Sequence, residues 1–185
     1  MPCFELHPKS LASGEFATAW FDDATFTWDD KRLRRAAPIG EGWQAPRLAL
    51  YRPELGATAV LFNPHAFAVS QGVRDELAEF RELEFLPVEI EGHDTFFMLH
   101  VIEAIDLPDG SDAHMAEVSG NLVELNAFAP GFEPPFEFFR IRHPANSAAG
   151  RAGSVRTSIY MSARATQRVE AIAGSCVDCK RIASA

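Results

Sequence analysis

The stretch Leu86–Glu103, LPVEIEGHDTFFMLHVIE, decides how the rest of the chain is read. Leu86 to Glu91 and Thr95 to Glu103 read as two strands, and Glu91-Gly92-His93-Asp94 joins them as a hairpin loop in which glycine supplies an unusual φ. On the second strand Phe96, Met98, His100 and Ile102 point one way, and Phe97, Leu99 and Val101 the other. A strand apolar on both faces belongs in the middle of a sheet with layers on either side.

Working upstream, Ser70 reads as a helix N-cap, its hydroxyl free to accept an orphan amide of the first turn. Val73, Leu77 and Phe80 follow at helical spacing, which predicts a helix over about residues 70–83, weakened at Gly72 by about 1 kcal/mol relative to alanine. Ala57 to Phe62 is an apolar strand or short helix closed by Asn63-Pro64. Ala36 to Pro53 is rich in proline and glycine and reads as loop, with Arg47 to Tyr51 as a short strand. Phe16 to Phe21 and Thr25 to Trp28 read as strands joined by a turn at Asp22-Asp23. Lys31, Arg32, Arg34 and Arg35 read as a solvated basic loop.

Downstream, Asp106 to His114 is a polar loop, Leu122 to Phe128 and Phe136 to Arg142 are strands, and Ala145 to Ser154 is a small-residue loop. Arg156 to Met161 leads into Ser162, a second N-cap. Ala165, Val169 and Ile172 then mark a helix over about 162–173, with Gly174 where a left-handed C-cap falls. Cys176 to Ile182 returns as a terminal edge strand. The phrase "apolar residue, serine, helix" occurs twice, at Val69-Ser70 and Met161-Ser162, too few copies for a repeat architecture. Strands in runs with segregated helices predict an α+β fold, a single domain over 1–185 with a largely antiparallel central sheet and two main helices.

Composition sets the class. The chain has 185 residues, 47% apolar and 23% charged, with a net charge of −9. That is a self-sufficient core, and the acidic balance argues against a nucleic-acid binder. No apolar run is long enough to span a membrane, and MPCFELHPKS is not a secretory signal, so the expectation is a cytoplasmic protein with neither nucleic acid nor membrane as partner. The charge is uneven: net −5 over residues 1–30, −8 over 31–149 and +4 over 150–185. An acidic body steers a basic partner, although plain solubility explains it as well.

Chemistry is sparse. The chain holds no phosphate loop, dinucleotide fingerprint, nucleophile elbow or HExxH. Cys176 and Cys179 form a CxxC without the second ligand pair of a zinc site, and they follow a helix instead of opening one, so two small strand residues are expected more than redox or metal chemistry. Cys3 is the third cysteine, and an odd count fits a reducing cytosol. His100 and Glu103 have metal-like spacing, yet an odd separation on a strand puts them on opposite faces. His100, with Phe96, Met98 and Ile102 beside it, reads as a core histidine. His93-Asp94 sits on a hairpin tip and His65 in a turn. Fifteen phenylalanines form a large aromatic core or, around Phe132, Phe136, Phe138 and Phe139, a partner surface.

An ordered series of pieces resembles a bacterial family. Trp43-Gln44-Ala45-Pro46 precedes an apolar run, Val69-Ser70 opens the helix Val73-Arg74-Asp75-Glu76-Leu77, and Leu86-Pro87-Val88 faces Phe96-Phe97-Met98-Leu99. Phe138-Phe139-Arg140-Ile141 and Ile159-Tyr160-Met161-Ser162 follow. Over residues 43–182 this order is similar to the immunity proteins of polymorphic toxin systems, specifically immunity family eleven. Residues 1–42, N-terminal strands and loop, add little, and Ser175-Cys176-Val177-Asp178-Cys179 departs from the Gly-aromatic end the family would show. The resemblance implies an inhibitor that occludes a cognate toxin without catalysis, with no cofactor, no metal and no catalytic residue. Expected partner contacts are Glu79 and Glu82 on the first helix and Asp106, Asp109 and Asp112 in the loop. Two other readings stand beside it: an enzyme or small-molecule receptor built on His93, Asp94, His100 and Glu103, and a self-associating subunit whose aromatics form a homo-oligomer interface.

Overall fold

The computed structural model describes every residue except 1, 12–16, 22–29, 34, 64–65, 116–121, 143–154, 156–157 and 185. In chain order its elements are β1 (Cys3–Pro8), β2 (Ala19–Phe21), the single-turn α1 (Asp30–Leu33), β3 (Arg47–Leu50), β4 (Val60–Asn63), β5 (Ala66–Ser70), α2 (Gln71–Leu77), β6 (Leu83–Ile90) and β7 (Phe96–Val101). Then come β8 (Ala104–Ile105), β9 (Asp112–Met115), β10 (Leu122–Phe128), β11 (Phe138–Ile141), β12 (Tyr160–Ser162), α3 (Ala163–Ala173) and β13 (Val177–Ser184).

The expected α+β domain with one central sheet is replaced by a mostly β molecule with two sheets. One has six strands in the order β2-β3-β6-β7-β5-β4, the other seven in the order β8-β11-β12-β1-β13-β10-β9. Each wraps a core of its own. The six-stranded sheet meets itself: Thr18 bridges Phe62, the Phe62 N–H donates to the Ala17 carbonyl at 2.7 Å, and Asn63 Nδ2 donates to the Ala19 carbonyl at 3.0 Å. Inside it lie Leu48, Leu61, Leu86, Val88, Phe96 and Met98. In the seven-stranded sheet β8 and β9 are the two edges, yet only residues 106–111 join them. That connection reaches about 25 Å at most. Seven flat strands would hold their edges about 29 Å apart, so the sheet has to curl. It curls around Leu122, Leu125, Phe128, Phe139, Tyr160 and Ile182. Phe139 stacks on Tyr160 with ring centroids 5.7 Å apart. A third apolar layer, with Phe67, Val69, Leu99, Phe138 and Met161, joins the two sheets and takes the inner faces of α2 and α3. Alternation along a strand shows two buried faces but not which sheet each face serves, so the sequence pattern merges two curled sheets into one flat one.

The sheets repeat one plan. β5 runs through Ser70 into α2 and returns as β6 with β7 between them, and β12 runs through Ser162 into α3 and returns as β13 with β1 between them. Outward from there, β4 matches β11, β3 matches β10 and β2 matches β9. In both orders β3-β6 and β10-β13 pair in parallel and the other matched pairs are antiparallel. The two serine-to-helix phrases, too few by themselves to signal a repeat architecture in the sequence, therefore occupy equivalent places.

Other expectations change locally. The first helix stops at Leu77 instead of 83, and Ser70 makes no side-chain cap bond, whereas Ser162 accepts from the Ala165 N–H at 3.2 Å. Gly174 has φ −61°, so it is not a left-handed cap. Its requirement is close approach: a Cβ there would lie 2.5 Å from the Glu170 carbonyl oxygen. The basic run begins in α1 instead of a loop, part of the 106–114 loop is β9, and β13 is an interior strand between β1 and β10 instead of an edge. Residues 1–42 contribute β1, which lies between β12 and β13. The expected strand Thr25–Trp28, the Asp22-Asp23 turn, His65 and the loop 145–154 fall outside the described residues.

Candidate functional site

Glu84 and His100 face each other across β6 and β7 on the inner side of the six-stranded sheet. His100 is fully buried, as its apolar neighbours predict. Its Nδ1 lies 2.9 Å from Glu84 Oε2 and its Nε2 lies 3.0 Å from the Arg35 carbonyl. The Glu84 carboxylate also accepts the Gly40 N–H at 2.8 Å and the Ile39 N–H at 3.0 Å. The segment from Leu33 to Gly40 is thus strapped onto this end of the sheet, with Leu33 and Ile39 packed into its core. From the other sheet, Arg140 reaches across and donates from Nη1 to the Leu33 carbonyl at 2.8 Å. Its Nε and Nη2 have no hydrogen-bond partner among the described residues.

The electrostatics follow from burial. Desolvation lowers the pKa of the Arg140 guanidinium to about 10. Desolvation also lowers the His100 pKa, reinforced by the Arg140 cation and opposed by Glu84 and the Arg35 carbonyl. Both groups facing the ring are acceptors, so a neutral ring makes one of its two bonds at a time. Burial alone would raise the Glu84 carboxyl, but hydrogen bonds from His100, Ile39 and Gly40 outweigh it and hold the pKa below the usual carboxylate range. Held by these bonds, the cluster is a clasp for the 33–40 strap and joins the two halves. The sequence marked His100 but not Glu84 or Arg140, because cross-strand and cross-sheet partners are far apart in the chain.

The other residues singled out from the sequence are dispersed. His93 and Asp94 are exposed on the hairpin, while His100 is in the core, so they do not meet. Glu79 and Glu82 lie beyond the end of α2, not on it. Glu79 pairs with Arg164 at 2.7 Å, and Glu82 accepts the Glu137 N–H at 3.3 Å. With Glu76–Arg168 and the Ser162 hydroxyl donating to Glu137, these groups tie α2 to α3 across the two halves. Asp106 pairs with Arg142 at 3.6 Å, and Asp109 and Asp112 are exposed between β8 and the start of β9. Cys176 precedes β13 and Cys179 lies within it. Burial, helped by Glu170 and Asp178, pushes the Cys179 thiol up to about 11, and burial pushes the Cys3 thiol up to about 11. Among the described residues no three His, Cys, Asp or Glu side chains gather as a metal site.

The aromatic residues divide differently from the sequence expectation. Phe138 and Phe139 are fully buried, and Phe132 and Phe136 pack against the core of the seven-stranded sheet. Among the described residues the exposed large aromatics are Trp20 and Tyr51, at 47% and 63% exposure. Trp20 lies opposite Ala49 on β3, and the Tyr51 N–H donates to the Thr18 carbonyl at 2.9 Å, so the two rings share the outer face of one strand pair. The signal was legible in part: alternation already set Trp20 apart from Ala19 and Phe21. No known protein family matches the chain, and no curated protein matches it. No helix among the described residues is long and apolar enough to cross a membrane.

Proposed function

We propose that this protein is an immunity protein that binds a cognate toxin and neutralises it by covering its active surface, without catalysis, in the cytoplasm of the producing cell. The family resemblance over residues 43–182 motivates the reading. The structural observation that supports it is the exposed pair Trp20, on β2, and Tyr51, just past the end of the neighbouring β3. Aromatic side chains held by paired backbone lose little entropy on binding, and such residues anchor protein interfaces. The acidic charge of the chain favours a basic toxin and speeds the encounter. The acidic groups at Glu79 and Glu82 contribute less, because arginines and a backbone amide already engage them. Asp109 and Asp112 are the more available contacts, and Asp106 is paired with Arg142.

The test is co-expression with the product of the adjacent open reading frame. Growth arrest by that product alone, relieved by this protein, is the expected outcome. A product that is harmless alone, or that kills despite this protein, refutes the proposal. In the purified pair, joint replacement of Trp20 and Tyr51 by alanine should weaken binding by at least about tenfold while leaving the melting temperature unchanged.

A further inference from the structure

The register of strand pairing carries the equivalence of the two sheets down to single residues. Ser70 pairs with Phe96 and Ser162 with Cys3, and Val88 pairs with Phe96 and would correspond to Ile182, which pairs with Cys3. The next sheet neighbour attaches at the equivalent rung, since Glu89 pairs with Arg47 and its counterpart Ala183 pairs with Ala127. This register lays β1, CFELHP, over β7, FFMLHV, with Phe4 on Phe97, Leu6 on Leu99 and His7 on His100 identical. It also lays Asp178 over Glu84, so an acid and a histidine face each other on the same rung of both sheets. Side-chain direction matches too: Leu61 and Phe139 each point into their own sheet's core, and Val60 and Phe138 both point into the shared layer.

We infer that this chain is two copies of one β-β-β-β-α-β-β unit, with the last strand of the second copy standing ahead of the first copy as β1. Independent folding of two unrelated halves has no reason to reproduce five strand pairings with the same directions, or to place His opposite an acid on the same rung twice. In the first copy seven residues, 89–95, separate Val88 of β6 from its partner Phe96 of β7. In the second copy the same link is open between β13 and β1. The acid–histidine rung has since diverged. In the first copy it clasps the 33–40 strap. In the second, His7 Nε2 lies 3.2 Å from Glu5, and Asp178 lies 3.9 Å from Lys9.

The inference predicts that the open link can be closed and the chain opened elsewhere. The 185-residue chain is rearranged so that Ala185 runs into Met1 through two added residues, which gives Ile182 to Cys3 the seven-residue connection of the first copy. New ends are placed between Ser10 and Leu11, ahead of β2. The expected result is a cooperative melt within about 10 °C of the parent chain and an unchanged circular dichroism spectrum. A larger drop, or a non-cooperative melt, overturns the inference. A crystal structure of the parent chain tests it without any variant. Superposing one copy's strands on the other's should lay Cys3–Pro8 over Phe96–Val101 in register, and a shift of one residue or more would overturn it.

Discussion

Replacing Glu84 by alanine removes one carboxylate and strands three donors at once. His100 Nδ1, the Ile39 N–H and the Gly40 N–H all bond to it within 2.8–3.1 Å. Gly40 is exposed, and water can replace its acceptor, so that bond is worth little. The other two are bonds to a charged group, one of them from a fully buried ring. At about 1.5–2 kcal/mol each, the loss is about 3–4 kcal/mol. For a chain of this size that lowers the melting temperature by about 10 °C. Trp43 reports the event, because its Nε1 donates to the Pro87 carbonyl at 2.8 Å close to the strap. The sharper readout is amide exchange: the Ile39 and Gly40 amides should exchange faster, while amides in β1 and β13 change only through global opening. Glu84→Gln keeps one acceptor oxygen but turns an amine toward the backbone donors, so it should fall between wild type and alanine. A Glu84→Ala melting temperature within 2 °C of wild type, with Ile39 and Gly40 exchange unaltered, would refute the clasp.

Acid should destabilise the fold in two steps. The folded His100 pKa is lowered from 6.5, so the unfolded chain binds more protons below that value, and stability falls as pH drops from about 6.5 toward the folded pKa. The folded Glu84 pKa is lowered from 4.5, so its contribution is complete above that value and is lost as pH falls through the folded pKa. Urea midpoints from pH 8 down to about pH 2 test this, and His100→Gln should flatten the upper step. Ser162→Ala should cost about 1 kcal/mol in chemical denaturation, and Ser70→Ala close to nothing, because only Ser162 caps a backbone amide. Two glycines should respond with opposite signs in the same assay. Gly174→Ala forces a Cβ against the Glu170 carbonyl and should cost about 1–3 kcal/mol, whereas Gly72→Ala meets nothing within 4 Å in α2 and should gain up to about 1 kcal/mol.

Local signals were legible where one element decides its own structure. The hairpin of β6 and β7 and its turn at Gly92, the strand Leu122–Phe128, and the helix after Ser162 follow from alternation, turn residues and a cap. The length of α2 was not legible, because Phe80 continues the helical spacing while its side chain serves the core beyond the helix end. Of the clasp, His100 was marked by its apolar face-mates, but its partners come from β6, the 33–40 strap and β11.

By itself the amino-acid sequence determined which segments bury apolar surface and at what period, that the chain is acidic, and that Ser162 starts a helix. Only the tertiary structure decided that the strands divide into two curled sheets, that β1 belongs with β12 and β13, and that Glu84, His100 and Arg140 meet. The physical reason is that periodicity reports the environment of a residue and not the identity of its neighbours. Strand pairing over more than 150 residues of chain, as between Cys3 and Ile182, is settled only when cross-strand register and shared core volume are satisfied together.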